Sequence, residues 1–309
     1  MKLYRSIYLC ICFVLVTTLS FGQFNNDFGF SFGPSNYLGE IGGIGHKPSR
    51  GFIGDLKLKQ TSLSGGWFIR NKISSNFAIN TSVNYIRISG DDAYTESGPR
   101  FWRNLRFRND IIEVSPRLEF IFWDVPDLGK TGRYNTSLKL YAHLGVTAFY
   151  HNPKGSLDGL NWIPLRGLQT EGVNYNRMGI GVPMGGGVIF TQNRFFRFGL
   201  VLNYTKTFTD YLDDVSTVYT SHATGSQSAI YANQSEGVAP DNQMGNFTTG
   251  TIRGNPDDND SYLNLSFTYS KYLSPYSNSY YKRGSFNKYK RFNSRNFKKP
   301  KHRVTRAKF

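Results

Sequence analysis

Apolar and polar residues alternate strictly over one stretch in the middle of the chain, Thr136–Tyr150. One set of alternate positions consists of Leu138, Leu140, Ala142, Leu144, Val146, Ala148 and Tyr150. The other set consists of Ser137, Lys139, Tyr141, His143, Gly145, Thr147 and Phe149. A period of two predicts a β-strand with unlike faces. The stretch is longer than the average soluble strand and suits a tilted membrane-spanning strand of about 9–11 residues.

The alternation recurs and predicts eight strands in all. The other clear cases are Phe77–Tyr85, Ile112–Phe122, Phe196–Thr205 and Leu263–Ser270, and the weaker ones are Asp27–Leu38, Thr61–Arg70 and Met178–Thr191. A membrane barrel needs an even number of antiparallel strands with one apolar face each, because closure satisfies every backbone group in hydrocarbon. We therefore predict an all-β fold, an eight-stranded antiparallel transmembrane β-barrel. The alternative is a soluble sandwich or a lipocalin-like barrel, whose apolar face points inward.

The polar faces of these strands should fill the barrel interior, which is too narrow for a channel when there are eight strands. Glu113, Arg117 and Glu119 share one polar face and are predicted to form a charge network in the lumen. His143, on the polar face of another strand, is interpreted as a lumen hydrogen-bonding residue. Aromatic residues at strand ends are typical of interfacial girdles; they are Tyr85, Phe122, Tyr150, Tyr204, Tyr269 and Tyr272.

The connections between predicted strands are alternately short and long. The short or medium ones are 71–75, 192–194 and Asp124–Asn135, and the long ones are Gly39–Gln60, Gly90–Asn109, His151–Arg177 and Thr209–Asp260. In outer-membrane barrels the periplasmic turns are short and the extracellular loops long. This rhythm predicts that the barrel begins and ends on the periplasmic side. The long loops contain Trp102, Trp162 and Tyr211 and are expected to fold over the mouth.

The first residues have the order of a secretory signal peptide. Lys2 and Arg5 precede an apolar run, and small residues stand three and one before the Gly22/Gln23 bond. We predict a signal peptide over 1–22, a barrel domain over 23–273 and a tail over 274–309. The only cysteines, Cys10 and Cys12, lie inside the predicted signal. The processed chain is therefore expected to contain neither a disulfide nor a thiolate site; an uncleaved N-terminal anchor is the alternative.

Composition supports strands over membrane helices. Hydrophobic residues make up 39 % of the chain and the mean hydropathy is −0.42. No apolar stretch of about 18 residues follows the predicted signal, so a helical membrane protein is excluded. The chain contains 25 Phe, 20 Tyr and 32 Gly. This aromatic and glycine bias suits strands and barrels.

The C-terminus is strongly basic. The chain has a formal net charge of +16, and no Asp or Glu occurs after Asp260. The tail cations, candidates for partner binding, are Lys282, Arg283, Lys288, Lys290, Arg291, Arg295, Lys298, Lys299, Lys301, Arg303, Arg306 and Lys308. The tail is either a solvated segment or an arm that docks on an acidic partner or on anionic lipid head groups. Nucleic acid is disfavoured as a partner because the protein is expected to be exported.

No catalytic or cofactor motif emerges, and we predict a non-enzymatic protein without a cofactor. His151 with loop serines could imitate a rim hydrolase, but no G-x-S-x-G context accompanies it. The glycines of 179–187 lack the Lys-Ser/Thr ending of a phosphate loop and indicate close strand packing or a bulge. Asp210, Asp213 and Asp214 are weak calcium candidates, and Asp257, Asp258 and Asp260 form a similar group; hydrogen bonding within the loops is the alternative.

Several strings resemble the PorG family, the outer-membrane barrel component of the type IX secretion system of Bacteroidetes. They are "YLGEIGG", "GFIGDLK", "RNLRFRNDIIEVSPRLEFIFWD", "YAHLGVTAFYHNPKG", and above all "FTDYLDDVSTVY" with "RGNPDDNDSYL". The resemblance runs from about residue 24 to residue 272. It implies a small barrel that tethers the periplasmic ring of PorK lipoprotein and PorN to the outer membrane, for protein secretion and gliding motility. The family also includes paralogues of unknown role, so the resemblance leaves open whether this chain serves the secretion machine.

Three functional hypotheses follow. The favoured one is a scaffold that anchors a secretion complex through the turn Asp124–Asn135 and the basic tail, which would lie in the periplasm. The second is a surface-exposed binding or adhesion barrel whose loops engage an external ligand. The third is a rim enzyme that acts on lipid through His151.

Overall fold

The computed structural model describes residues 26–42, 58–95, 98–129, 135–193 and 195–273. The predicted signal peptide over 1–22 and the predicted tail over 274–309, with all of its cations, lie outside the described residues. So do His46 and His302. Within the described residues no helix is both long and apolar enough to cross a membrane.

In the part of the chain that the structure describes, eleven strands form one antiparallel sheet. They are β1 (Asn26–Leu38), β2 (Ser62–Lys72), β3 (Phe77–Asp91), β4 (Arg106–Val125), β5 (Ser137–Gly145), β6 (Thr147–Tyr150), β7 (Pro153–Gly155), β8 (Ile163–Pro164), β9 (Met178–Gln192), β10 (Phe196–Thr207) and β11 (Ser261–Leu273). The sheet closes on itself, because β3 pairs with β4 and β1 pairs with β11. β5 and β6 together form one wall strand that is interrupted at Val146, so the ring has eight strands. All eight predicted strands are confirmed.

The remaining elements are short and lie in the connections. They are helix α1 (Pro99–Arg103), helix α2 (Gln227–Ala232) and four 3-10 helices, Leu58–Gln60, Asp92–Tyr94, Arg166–Leu168 and Asp241–Phe247. β7 and β8 continue the sheet beyond the ring, paired onto the end of β4. The connection His151–Arg177, predicted as a loop, therefore contains two short strands.

The outer wall of the ring carries a belt of exposed apolar side chains. On β4 the outward positions from Ile112 to Phe122 are exposed, and the intervening Glu113 and Glu119 are buried. At about 3.3 Å per residue and a tilt of about 40°, this run covers ~25 Å of depth, the height of a lipid-facing belt. Other belt members are Phe28, Phe30, Phe32, Trp67, Ile69, Val83, Leu144, Ile180, Phe198 and Phe267. The soluble-barrel alternative, with its apolar face inside, is therefore wrong.

Above the belt the apolar side chains point into the barrel instead of outward. On β3, Asn80, Ser82 and Asn84 are buried below the point where Tyr85 ends the belt, whereas Ile86 and Ile88 are buried above it. The prediction that polar side chains fill the whole interior is thus wrong for the upper barrel. The reason is physical: above the bilayer the outside is water, and the inside packs against apolar loop residues. Because the expected pattern ended there, Gly90–Asn109 was predicted as a loop, although β3 and β4 continue to Asp91 and from Arg106.

Glycines of β9 permit close strand packing, as predicted. A Cβ at Gly185 would lie 2.0 Å from the carbonyl oxygen of Leu202 on β10, and one at Gly187 would lie 2.7 Å from that of Leu200. No side chain fits at these distances, so only glycine allows the two strands to approach in this register.

Candidate functional site

The lower lumen holds a buried network of opposite charges. Arg70 on β2 donates to both carboxylate oxygens of Glu119 on β4, at 2.6 and 3.1 Å. Asn80 donates to the same carboxylate at 2.7 Å. Asp27 lies 3.8 Å from Arg70 and accepts a hydrogen bond from Arg197. Sequence reasoning missed Arg70, Asp27 and Arg197 as network members; their signal was their inward position in the alternation.

The other two predicted network members lie on the inner face but are not paired with each other in the part of the chain that the structure describes. The Glu113 carboxylate accepts hydrogen bonds from Asn84 at 2.8 Å and from the Tyr262 hydroxyl at 2.5 Å. Arg117 is half-buried and donates to the Ser82 hydroxyl at 3.2 Å. The expected direct charge pairing among the three residues is therefore corrected: Glu119 pairs with Arg70, and Glu113 is held by neutral donors.

His143 occupies the lumen in the predicted role. Its Nε2 lies 2.9 Å from the side-chain oxygen of Asn203, and the residue is buried. Asn203 in turn donates to Asn264 at 3.0 Å. Polar chains of this kind link strands across the interior. Since side chains fill an eight-stranded ring, this interior is a packed core.

The loop cap, consisting of residues 39–42, 92–105, 151–177 and 208–260, covers the mouth of the barrel; residues 96–97 of it are outside the described set. Its apolar base is formed by Leu212 and Val215, both buried in one cluster with the upper-lumen residues Ile86, Ile88 and Phe107. The described parts of the long loops thus fold over the mouth, as their aromatic content led us to expect.

Two buried arginines hold the loop cap together, and the first is Arg103. Its Nε lies 2.8 Å from the Asp92 carboxylate, which also accepts the backbone N–H of Gly42 at 2.8 Å. Arg103 further donates to the carbonyl oxygens of Arg253 at 2.9 Å and Glu40 at 3.3 Å. One guanidinium therefore joins three of the four long connections.

The second arginine, Arg253, brings in the fourth connection. Its Nη1 lies 2.9 Å from Glu171 in the 151–177 segment, and both side chains are only 2 % exposed. It also donates to the carbonyl oxygens of Asp214 at 2.6 Å and Ala232 at 3.2 Å. Glu171 in addition accepts the backbone N–H of Thr217 at 2.9 Å. All four long connections are thus fixed to one another by buried ionic and hydrogen bonds.

Of the aspartates considered for calcium, Asp213 and Asp214 act within the cap as hydrogen-bond acceptors, whereas both carboxylate oxygens of Asp210 are buried without a hydrogen-bond partner among the described residues. Asp213 accepts the backbone N–H groups of Ile41 at 3.3 Å and Val215 at 3.0 Å. Asp214 accepts from the hydroxyls of Thr170 at 2.5 Å and Tyr175 at 2.6 Å. These contacts match the loop-bonding alternative. No group of three or more His, Cys, Asp or Glu residues within the described ranges has the arrangement of a metal site.

Buried acids crowd this part of the cap and raise one another's affinity for protons. Burial, reinforced by the charge of Asp213, raises the pKa of Glu40 to about 8 and that of Asp210 to about 7. Burial likewise raises the pKa of Asp214 to about 6, although the nearby Arg253 opposes the shift. The pKa of Asp260 is raised too, because it is buried beside Asp213.

The rim-enzyme hypothesis places its base at His151, which is fully buried. Its Nε2 lies 3.0 Å from the carbonyl oxygen of Asn176, and its ring packs between Phe149 and Tyr175. The Tyr175 hydroxyl donates to Asp214 at 2.6 Å and is not hydrogen-bonded to His151. The arrangement therefore gives His151 a packing role at the mouth.

At the opposite end, the turn Asp124–Asn135 is described only in part, because 130–134 lie outside the described residues. Lys139 forms an ion pair with Asp124 at 3.0 Å, and the Leu128 N–H donates to the Thr136 carbonyl at 3.1 Å. These two contacts join the described ends of the turn to each other.

Comparison with protein families gives one assignment. A family model described as a domain of unknown function, DUF6089, matches residues 5–224. The chain belongs to the DUF6089 family. No curated protein sequence is significantly similar to the chain.

Three solved structures resemble the fold at 10–11 % identity, and each aligns with 81 % of this chain. They are Ail, the attachment invasion locus protein of Yersinia pestis (98 % of its chain, TM-score 0.36), Neisserial surface protein A (97 %, TM-score 0.33) and the outer membrane protein OprG of Pseudomonas aeruginosa (95 %, TM-score 0.31). The chain's own closed ring and outward apolar belt define it as a transmembrane β-barrel. An eight-stranded barrel with such a belt is an outer-membrane protein.

Proposed function

We propose that this protein is a non-enzymatic scaffold of the type IX secretion system, which anchors the periplasmic ring of PorK lipoprotein and PorN to the outer membrane. The proposal needs a rigid membrane anchor, a face toward the periplasm and a chemical basis for binding the ring. The role requires neither a catalytic group nor a cofactor.

The observation that carries the proposal is that buried side chains occupy the lumen and the loop cap covers the mouth. The lumen is filled by paired polar groups around Glu119, and the mouth is closed by the loop cap through Arg103 and Arg253. An eight-stranded barrel filled by side chains suits an anchor better than a channel. Its use is therefore as an anchor for something attached outside the ring.

In this proposal the periplasmic ring proteins bind to the turn Asp124–Asn135 and to the tail. The tail carries twelve Lys or Arg residues and no acid from residue 280 on. Such a segment is attracted to an acidic surface and loses conformational freedom when it docks. A ring protein with an acidic outer face is the partner that this chemistry fits.

Removal of residues 280–309 tests the proposal. We expect recovery of the PorK ring lipoprotein with the tagged barrel to fall steeply, while the barrel itself still shows the gel mobility of folded protein. The matched control keeps the tail length and replaces the twelve cations with Gln, which should give the same loss. Unchanged recovery with both variants would remove the tail from the mechanism.

A second function, binding of an external ligand by the loop cap, is favoured by one observation. Leu160 and Ile252 are 82 % and 80 % exposed at the water-facing end of the molecule. An exchange of the loop segment 155–163 that abolishes surface attachment while secretion stays intact would favour this function over the scaffold.

A further inference from the structure

A group of cations lies on the outer wall of the barrel directly above the lipid-facing belt. Arg87 on β3 and Arg106 and Arg108 on β4 occupy outward positions, since their neighbours Ile86, Ile88 and Phe107 are buried. Lys154 on β7 pairs with Arg108 and shares its face. We call these four cations the basic face.

The height of the basic face follows from the strand register. The belt ends at Tyr85 and Ile112, which are opposite each other; the next outward pairs are Arg87 with Asp110, then Ser89 with Arg108, then Asp91 with Arg106. Each step along a tilted strand rises about 5 Å. The cations thus lie at about 5, 10 and 15 Å above the belt, at and beyond a phospholipid head-group layer of roughly 5–8 Å.

Two acids on the same face neutralise only part of this charge. Asp110 pairs with Arg87 at 2.7 Å and with Lys154 at 3.4 Å, and Asp91 pairs with Arg106 at 2.6 Å. Four cations against two acids leave an excess of two positive charges. The side chains of Arg87, Arg106 and Lys154 stay 41 %, 30 % and 26 % exposed, so they remain open to a ligand.

Arg108 is held in place by an aromatic ring. Its guanidinium lies 4.6 Å from the centre of the Trp162 ring, and its Nε has no hydrogen-bond partner among the described residues. Stacking orients the planar guanidinium; its Nε is buried, so the partly exposed residue would offer its terminal Nη groups to a ligand. A guanidinium edge is suited to two parallel hydrogen bonds with a phosphate.

The basic face is confined to one side of the barrel. Among described outward positions at the same level on the other ring strands, the one remaining Lys or Arg is Lys206 on β10, which is already bonded to Asp258 at 2.9 Å and to the carbonyl of Asn259. A general attraction to an anionic membrane would not require such grouping. One bound molecule with more than one phosphate would.

We propose that the basic face binds the head group of a phosphorylated glycolipid of the lipid A type in the outer leaflet. Its acyl chains would lie on the belt along β3 and β4, below Tyr85 and Ile112. Its sugar phosphates would reach Arg108 and Lys154, at a height that a phospholipid phosphate does not attain. The excess of two positive charges matches a head group with two phosphates.

The test measures binding of purified full-length protein in detergent micelles to three probes: diphosphorylated lipid A, the same lipid without phosphates, and phosphatidylglycerol. We expect wild-type protein to prefer diphosphorylated lipid A. The Arg108→Gln/Lys154→Gln variant should bind it about 25-fold more weakly, since a cation near an anionic lipid contributes about fivefold each. The matched control, Lys206→Gln, should stay within about twofold of wild type.

Folded gel mobility confirms that each variant is a barrel, and Arg108→Lys, which keeps the charge, should lose less than Arg108→Gln. Equal binding of all three probes would overturn the proposal. So would equally tight binding of phosphatidylglycerol, or an equal loss in Lys206→Gln, because either result would show unspecific attraction to anionic lipid. These outcomes do not depend on recovery of the secretion ring, so the two proposals fail separately.

Discussion

The lumen and the loop cap both bury ionised side chains, but the groups have different routes to water. Arg70 and Glu119 lie on strands that are hydrogen-bonded to neighbouring strands on both sides, in a ring that closes on itself. Arg253 and Glu171 lie in connections that few backbone ladders cross. If a partner is lost, a lumen charge stays trapped, whereas a cap segment can unfold locally and hydrate its charge.

Similar buried ion pairs therefore have different structural effects in the two regions. In the lumen the shape is set by the ring of strands, and the ion pair affects only the stability of the barrel. In the cap the pairs of Arg103 and Arg253 themselves determine where the loops lie. Substitutions should therefore affect the stability of the whole barrel in the first region and the order of the loops in the second.

The largest effect is expected for Arg70→Met. The substitution leaves the Glu119 carboxylate buried without its cation, and loss of one partner of a buried pair costs about 3–5 kcal/mol. We expect the free energy of unfolding, measured by urea titration in detergent or lipid, to fall by that amount. Arg70→Met/Glu119→Gln should recover most of the loss, and Arg117→Met, which removes no ion pair, should cost much less. Equal losses for Arg70→Met and Arg117→Met would contradict the assigned pairing.

A smaller global effect is expected for Arg253→Met. The segments 151–177 and 208–260 should separate and hydrate Glu171, while the free energy of unfolding of the barrel, from the urea titration, falls by less than about 1 kcal/mol. Limited proteolysis should then cut within 208–260 far faster than in wild type. Lys206→Gln serves as control, because it removes a partly exposed pair next to the same loop. If Arg253→Met unfolds the barrel as Arg70→Met does, the distinction between the two regions fails.

The smallest effect is a dependence of cap stability on pH. The pKa values of Glu40 and Asp210 are raised to about 8 and about 7 in the folded cap, so the folded form holds protons that the unfolded form releases. Their contribution is complete below the ordinary carboxyl pKa of about 4 and is lost as pH rises through 7 and 8. Thermal unfolding followed by tryptophan fluorescence should show the cap melting a few degrees lower at pH 8 than at pH 5. Glu40→Gln/Asp210→Asn should flatten this dependence; an unchanged slope would assign it to other groups.

Much of the barrel is predictable because the alternation of side chains along a strand can be recognised from a few consecutive residues. The outward side chains of Phe28, Leu144 and Phe198 follow from alternation alone, and so does the burial of Glu113 and His143. The upper barrel was missed because the same alternation continues with its polarity inverted, from Tyr85 outward to Ile86 inward. A period carries no information on which side is water, so the boundary of the bilayer has to be known first.

The loop cap could not be predicted from the sequence. Arg253 and Glu171 lie 82 positions apart, in segments without periodicity. Their pairing depends on the ring, which brings the ends of distant strands to one rim. For the same reason the Asp213–Asp214 stretch looked like a possible cation site, although its oxygens face backbone and hydroxyl donors.

β3 and β4 pair over a long distance, from Phe77 opposite Phe120 to Asp91 opposite Arg106. The wall of the barrel is therefore taller on this side than on the others. In a barrel with an even rim, the wall would rise to the same height above the bilayer on every side. Here the wall is taller at β3 and β4, so a neighbouring molecule in the membrane meets a different surface depending on the side from which it approaches. A barrel that rotates freely about its long axis turns the taller side toward a given neighbour only part of the time.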